Sequence, residues 1–242
     1  MNRFAVISDV HSNLEALTAV LSEISKKNIR KIFFLGDAVG YGSDPEECVK
    51  LLKKSCENPC LGNHDQAIFD TSCLDYFNEY ARNAILWTVK NISDDCIEYL
   101  KSMKIIYKLK RENICTVHSS PREPDKWSYL LTLKDIEQGF QYFDEKICFV
   151  GHSHMPFIAE RSPAGSIELR RENPAMCSAS RYIVNAGSVG QPRDGDPRAC
   201  YIAVANDSIE IVRVKYDIEK TQQKMLKAEL PSFLIERLSK GI

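Results

Sequence analysis

Phe4-Ala5-Val6-Ile7-Ser8-Asp9-Val10-His11-Ser12-Asn13-Leu14-Glu15 passes from an apolar run through a polar loop to a helix start. Phe4 to Ser8 reads as a short buried strand, because a brief apolar run bounded by polar residues suits a strand covered on both faces. Ser12 with Glu15 has the spacing of a capping box. Leu14, Leu17, Val20, Leu21 and Ile24 then recur at helical intervals, which predicts a helix of roughly four turns. That helix carries the chain back toward the strand's starting end and leaves Asp9 and His11 at the strand's carboxyl end.

The pattern repeats outward from there. Lys31 to Leu35 reads as a second buried strand ending in Gly36-Asp37, and Asp44-Pro45-Glu46-Glu47 supplies an N-cap, a proline at the first helical position and acids in the first turn. A brief strand into Leu61 delivers Gly62-Asn63-His64-Asp65, and Asp75 to Leu100 is helical by pattern. Ile114 to Val117 leads into His118, Ile147 to Val150 leads into Gly151, and Thr132 to Phe143 is the helix between them. This β-α-β-α order implies a parallel sheet covered by helices, with ligands gathered in loops at the carboxyl ends of its strands. Asp9, Asp37 and Asn63 converge there.

After His154 the texture turns β-rich: about Phe157 to Arg161, Ile167 to Arg171, Tyr182 to Asn185, Ala199 to Ala205 and Ile209 to Tyr216. These segments predict a second sheet packed on the first, with Glu172 to Ser180 as an exposed loop and Ile218 to Leu238 as a helical tail interrupted at Leu230-Pro231. No repeat or linker divides the chain, so residues 1–242 are expected to form a single domain.

Composition sets the bounds. The chain is 44% hydrophobic and 27% charged, ordinary for a soluble globular protein, and its formal charge of −1 gives no general attraction to nucleic acid or anionic membrane. Nine scattered cysteines with no C-x-x-C pair argue against a disulfide framework or a cysteine zinc site and for reduced, mostly buried thiols. The first apolar stretch is too short for a secretory signal, and no run reaches transmembrane length, so a cytoplasmic protein is expected.

All five histidines fall in short polar runs that read as metal loops: Asp9-Val10-His11, Gly62-Asn63-His64-Asp65, Val117-His118 and Gly151-His152-Ser153-His154. With Gly36-Asp37 they offer oxygen and nitrogen ligands for two neighbouring divalent ions without a thiolate. That donor mixture suits Mn²⁺, Fe or Zn²⁺ in a catalytic site better than a closed structural zinc. A glycine beside a ligand lets backbone approach closely.

Asp-x-His, Gly-Asp, Gly-Asn-His-Asp, a single His after a strand and Gly-His-x-His, in that order over residues 9–154, resemble the calcineurin-like metallophosphoesterase superfamily. Asn185-Ala186-Gly187-Ser188-Val189-Gly190-Gln191-Pro192-Arg193 resembles the closing motif of its small bacterial and archaeal phosphodiesterase branch. The resemblance implies a four-layer α-β-β-α sandwich of two mixed sheets flanked by helices. It further implies a first metal on Asp9, His11, Asp37 and His154 and a second on Asp37, Asn63, His118 and His152, with Asp37 bridging. Mn is the favoured metal, with Fe, Zn, Ni, Co or Mg compatible. The family mechanism is in-line attack on phosphorus by a metal-bridging hydroxide. His64 would donate a proton or hydrogen bond to the leaving oxygen, with Asp65 orienting its ring.

The superfamily's serine/threonine protein phosphatases follow Gly-Asp with a Val-Asp-Arg-Gly stretch, and this chain instead has Gly36-Asp37-Ala38-Val39-Gly40-Tyr41-Gly42. Phosphoprotein hydrolysis therefore loses support, and other cations must hold the phosphate; Arg122 and Arg193 are candidates by motif proximity. Gly40 and Gly42 read as permitting a turn, and Tyr41 as packing beneath it. The expected function is hydrolysis of phosphodiester or nucleotide phosphoanhydride bonds in a small substrate. The alternatives are a non-catalytic scaffold resembling a retromer subunit, disfavoured because that subunit lacks the histidine at the position of His64, and a nuclease, disfavoured because no aromatic and basic single-strand platform is present. Small members of the family are often oligomeric, so a homo-oligomer stays open.

Overall fold

The computed structural model describes residues 3–170, 175–205 and 207–242. The chain starts as expected, with strand β1 (Phe4–Ile7), helix α1 (Leu14–Lys26) and strand β2 (Lys31–Phe34), β1 and β2 pairing in parallel. The cap of α1 differs from the Ser12 and Glu15 reading. Ser12 lies in left-handed backbone at φ 55°, where its N–H bonds Ala38 O, so the cap falls to Asn13, whose side chain accepts from Ala16 N at 3.0 Å.

Helix α2 (Pro45–Ser55) carries its proline in the first turn, but the Asp44 carboxylate makes no capping bond and instead takes Lys224 Nζ at 2.8 Å. The expected strand into Leu61 is reduced to an isolated bridge between Cys60 and Lys104, and Asn63–Ala67 forms a short helix, α3. The long helix expected from Asp75 to Leu100 is broken. A 3₁₀ turn (Thr71–Tyr76) precedes α4 (Glu79–Lys90), capped by Asn78, and α5 (Asp94–Lys101), preceded by Ser93. Both starts place a residue with a strong N-cap preference in extended backbone.

Strands β3 (Ile106–Leu109), β4 (Ile114–Val117) and β5 (Ile147–Val150) follow, with a 3₁₀ turn (Pro124–Lys126) and helix α6 (Leu133–Gly139) between the last two. Helix α6 is shorter than the expected Thr132 to Phe143, and Thr132 and Asp135 cap it reciprocally. Beyond them lie β6 (Phe157–Arg161), β7 (Ile167–Arg170), β8 (Arg181–Asn185), β9 (Ala199–Ala205), β10 (Ser208–Val214), α7 (Ile218–Lys227) and α8 (Ser232–Lys240). Arg171 and residues 172–174 of the expected loop lie outside the described residues.

The two sheets do not divide the chain into halves. One sheet has the order β10-β9-β1-β2 and the other β3-β4-β5-β8-β6-β7, so each is mixed and each draws strands from both sides of His154. Alternation explains how they stack. Phe4, Val6, Phe33 and Leu35 point between the sheets with Phe149, Tyr182 and Ile202, whereas Ala5, Ile7 and Phe34 face α1 and α2 with Leu17, Val20 and Leu52. On the far side, Val117 and Ile183 meet Ile136 and Phe140 of α6 and its end. The result is the expected layering of helices, sheet, sheet and helix.

Asn13 ties three parts of this frame together. Its amide donates to Gly190 O at 2.9 Å while its carbonyl caps α1 and accepts from Thr221 of α7 at 3.2 Å. Asn13→Ala is expected to lower the unfolding free energy by about 2 kcal/mol, since it removes a cap and strands a buried carbonyl. Urea denaturation checks this: the midpoint should fall with an unchanged m-value, and Asn13→Ser, which keeps only the cap, should lie between.

Candidate metal centre

Every polar loop singled out in the sequence reaches one place. Asp9 and His11 follow β1 and Asp37 follows β2, in one sheet; His118 follows β4, and His152 and His154 follow β5, in the other. Asn63 and His64 open α3 between them. The site therefore lies across the carboxyl ends of both sheets.

The backbone there is bent sharply. Asp9, His11, Asp37, Tyr41, His152 and His154 all have φ between 49° and 65°, a region that costs a non-glycine residue roughly 1 kcal/mol or more. Hydrogen bonds hold the loops in it. Asp9 N and His11 N donate to Gly36 O and Asp37 O, extending the β1 and β2 pairing past the strand ends, and His152 N donates to Asp9 Oδ2 at 3.0 Å.

The donor atoms form overlapping sets. Ligand-capable atoms of Asp9, His11 and His154 lie within 4.8 Å of one another, as do those of Asp37, His118 and His152, and those of His11, Asp37 and His64. Asp37 sits between the first two sets, its Oδ2 being 3.6 Å from His11 Nε2 and 3.3 Å from His118 Nε2. Four rings are oriented by main-chain carbonyls: His11 Nδ1 by Val39 O, His118 Nδ1 by Leu35 O, His154 Nδ1 by Gln191 O and His152 Nε2 by Trp127 O, at 2.5 to 3.1 Å. Each carbonyl fixes the ring proton outward and leaves the other nitrogen facing the cluster.

Asp9 Oδ1, Asn63 Oδ1 and His118 Nε2 are buried without a hydrogen-bond partner, and His11 Nε2 faces His154 Nε2 at 3.1 Å. Polar atoms stranded together in this way fit divalent cations, and the all-oxygen-and-nitrogen donor set fits a catalytic rather than a thiolate site.

Charge is concentrated with little solvent to screen it. Burial pushes Asp9 upward, but the neighbouring His154 and His118 bring it well below the usual carboxylate range, and His118 and His64 do the same for Asp37. Burial alone would lower His118, yet Asp37 and Asp9 raise it to about 9. Burial dominates at His154 and His152, lowering them to about 3 and about 4, so both are neutral and available as donors at pH 7.

His64 stands apart from the other four rings. Its backbone N–H donates to Asp37 Oδ1, while its Nδ1 is buried without a partner and its ring packs against Tyr41, Phe77 and His11. Asp65 does not orient that ring. Its carboxylate accepts instead from the backbone of Asp37, Ala38, Val39 and Gly62, at 2.8 to 3.3 Å, and so braces the Asp37 loop. The chain order Asn-His-Asp suggested contact between neighbours, but the first turn of α3 sends the two side chains apart.

Gly40 does more than permit a turn. At φ 87° it lies where an added Cβ would come 2.4 Å from His64 Nδ1, so its bare α-carbon makes room for the ring. Gly62 plays the corresponding part for Asp37, whose Oδ1 would lie 2.1 Å from a Cβ there.

The two arginine candidates separate. Arg122 turns to Gln138 Oε1 at 2.9 Å and Glu123 Oε2 at 3.6 Å, and lines a different depression with Ser128 and Asp135. Arg193 lies over the Tyr41 ring at 5.6 Å, donates to Gln191 Oε1, and makes no ion pair among the described residues. The closing motif also positions the site. Asn185 holds Gly151 O and Ser153 Oγ, and Ser188 Oγ donates to Asp9 O. Trp127 and Tyr129, absent from the sequence reading, stand on the same side; Tyr129 stacks on His152 at 4.0 Å and 14°. No short-range signal marks them, since they reach the site only through the loop after β4.

Residues 2–208 match the family model for the calcineurin-like phosphoesterase superfamily domain. An uncharacterised protein of Methanocaldococcus jannaschii is 44% identical over 241 residues, 98% of this chain and 97% of that one. The crystal structure of a metallophosphoesterase from Sphaerobacter thermophilus superposes with a TM-score of 0.87 at 38% identity, covering 100% of this chain and 99% of that one. A hypothetical protein of Pyrococcus horikoshii shares the fold, with a TM-score of 0.78, 21% identity and coverage of 100% and 99%.

Cation binding should stabilise the fold by mass action. Mn²⁺ at a hundred times its dissociation constant is expected to raise the unfolding free energy by about 2.7 kcal/mol. Asp37→Ala should abolish most of that gain and lower the bound metal found by elemental analysis, whereas His64→Ala should retain both.

Proposed function

The chain belongs to the calcineurin-like phosphoesterase superfamily, and from that membership we propose that it is a single-domain, cytoplasmic, two-metal hydrolase of phosphodiester or nucleotide phosphoanhydride bonds. Asp9, His11, Asp37 and His154 would hold one divalent cation, and Asp37, Asn63, His118 and His152 the other. Such cations supply Lewis acidity toward phosphoryl oxygens and lower the pKa of water, which is the nucleophile the reaction needs. The nine unpaired cysteines support a reducing compartment, and no described helix is long and apolar enough to cross a membrane.

One observation supports the assignment of roles: among five buried imidazoles, four have a ring nitrogen tied to a carbonyl, and His64 has no such bond among the described residues. A ring fixed on one side is a ligand; a ring with both nitrogens unbound can give up a proton. His64 is thus the donor to the leaving oxygen. Burial holds its pKa well below the ordinary value, so the free ring is neutral and offers a hydrogen bond. An anionic substrate raises that pKa again by direct Coulombic attraction and allows full proton transfer. Arg193, which makes no ion pair among the described residues and lies over Tyr41, would take a phosphoryl oxygen, and the Arg122 side chain is engaged elsewhere.

The test is Mn²⁺-dependent hydrolysis of bis-p-nitrophenyl phosphate beside p-nitrophenyl phosphate. The diester should be cleaved faster, and His64→Ala should reduce its turnover by about 10²- to 10⁴-fold with metal content unchanged. Metal loss in that variant would make His64 a ligand instead. No turnover of either substrate by fully loaded protein would overturn the proposal.

A further inference from the structure

Beside His64 and His152 the site opens into a cleft of about 630 Å³, far larger than a phosphoryl group requires. Its walls hold an unusual set of aromatic rings. The 3₁₀ turn before α4 places Tyr76, a residue 92% exposed, on one wall beside Phe77, whose ring meets His64 edge-on. The loop after β4 contributes Trp127 and Tyr129.

That loop is built to present them. Glu123 and Trp127 both take left-handed backbone, at φ 46° and 54°, and Ser119 Oγ and Ser120 N tie the loop back through Pro124 O and Ser128 O. A bulky residue such as tryptophan adopts that conformation only when its surroundings impose it. Here the Trp127 carbonyl orients His152, so the strain that positions a metal-side histidine also sets an indole in the cleft. Tyr129 has one ring face on His152 and remains 47% exposed.

Resting on the phosphoesterase reading, we infer that this cleft selects substrates whose leaving group carries a planar aromatic base, a nucleotide being the chemical class, stacked on Tyr76, Trp127 and Tyr129. The cleft runs from His64, with Phe77 and Tyr76 beside it, across to His152, with Trp127 and Tyr129 beside it, so a group leaving from the His64 side departs into the space between these rings. Base stacking on aromatic side chains is strong and tolerant of base identity, because every base has a π-face. The selection is therefore for a flat base over a sugar or an alkyl chain, with little discrimination among bases.

Trp127 provides a direct reporter, since the chain has only one other tryptophan, Trp87. In Mn²⁺-loaded Trp87→Phe protein, AMP should quench Trp127 fluorescence saturably and bind at least tenfold more tightly than ribose 5-phosphate. Tyr76→Ala and Tyr129→Ala should each weaken AMP roughly tenfold and leave ribose 5-phosphate unchanged. Equal affinity for the two ligands, or AMP binding indifferent to both variants, overturns the inference. Turnover of bis-p-nitrophenyl phosphate on the same preparation reports the phosphoesterase reading separately. Active protein with no preference for AMP loses the aromatic selection alone, whereas inactive protein loses the underlying function.

Discussion

Three carboxylates, those of Asp9, Asp37 and Asp65, are buried within one small volume, and no Lys or Arg among the described residues reaches any of them. Removing a carboxylate from water costs several kcal/mol even after the protein relaxes, so each must be compensated locally. Asp65 accepts from four backbone N–H groups, yet burial and the neighbouring Asp37 still raise it to about 7. Asp9 and Asp37 accept one each, from His152 and His64, and otherwise face imidazoles. That residual negative field raises His118, 3.3 Å from Asp37, whereas burial lowers His152 and His154. Cations seated among these atoms would complete the compensation and displace the His118 proton.

The frame fixes this cluster through its own backbone and polar contacts. Strand ends from both sheets meet there, and six residues accept left-handed backbone that they would leave if released. What restrains them is a set of polar contacts from outside the cluster: Asp65 on the Asp37 loop, Asn185 on the Gly151 loop and Ser188 on Asp9. Hydrogen bonds of this kind are worth about 1 kcal/mol each, comparable with the strain they hold, so the site is balanced rather than rigid by any single contact.

How much of this was legible in the sequence follows from the range of the interactions. The loops that carry the five histidines, the strands before Asp9, Asp37, His118 and His152 and the helix after β1 are encoded within a few residues and lie where the pattern put them, whereas the strand expected into Leu61 and the cap expected at Ser12 are not formed. The sorting of strands into sheets is not encoded so locally, because β8 and β9 each form a buried run and nothing local states that one pairs with β5 and the other with β1. The same holds for side-chain direction. Asp65 adjoins His64 in sequence yet serves the loop of Asp37, and Arg122 lies four residues from His118 yet turns toward Gln138. Ser12 met the capping pattern as well as any residue could, but its backbone was already committed to Ala38.

His64 is the point where the two environments of the site touch. On one side it faces His11 and Asp37, in a dry and highly polar cluster of hard ligands; on the other it is packed by Phe77 and opens to Tyr76 and Trp127. The proton donor proposed above would stand at that boundary, where the bridging oxygen of the substrate becomes part of the departing group. Gly40 makes the placement feasible by leaving space at Nδ1, and Tyr41, left-handed and next in the chain, closes the gap between the His64 ring and Arg193. The stretch Gly40-Tyr41 thus combines two local effects: one residue leaves room for the His64 ring, and the next offers the ring over which Arg193 of the closing motif lies.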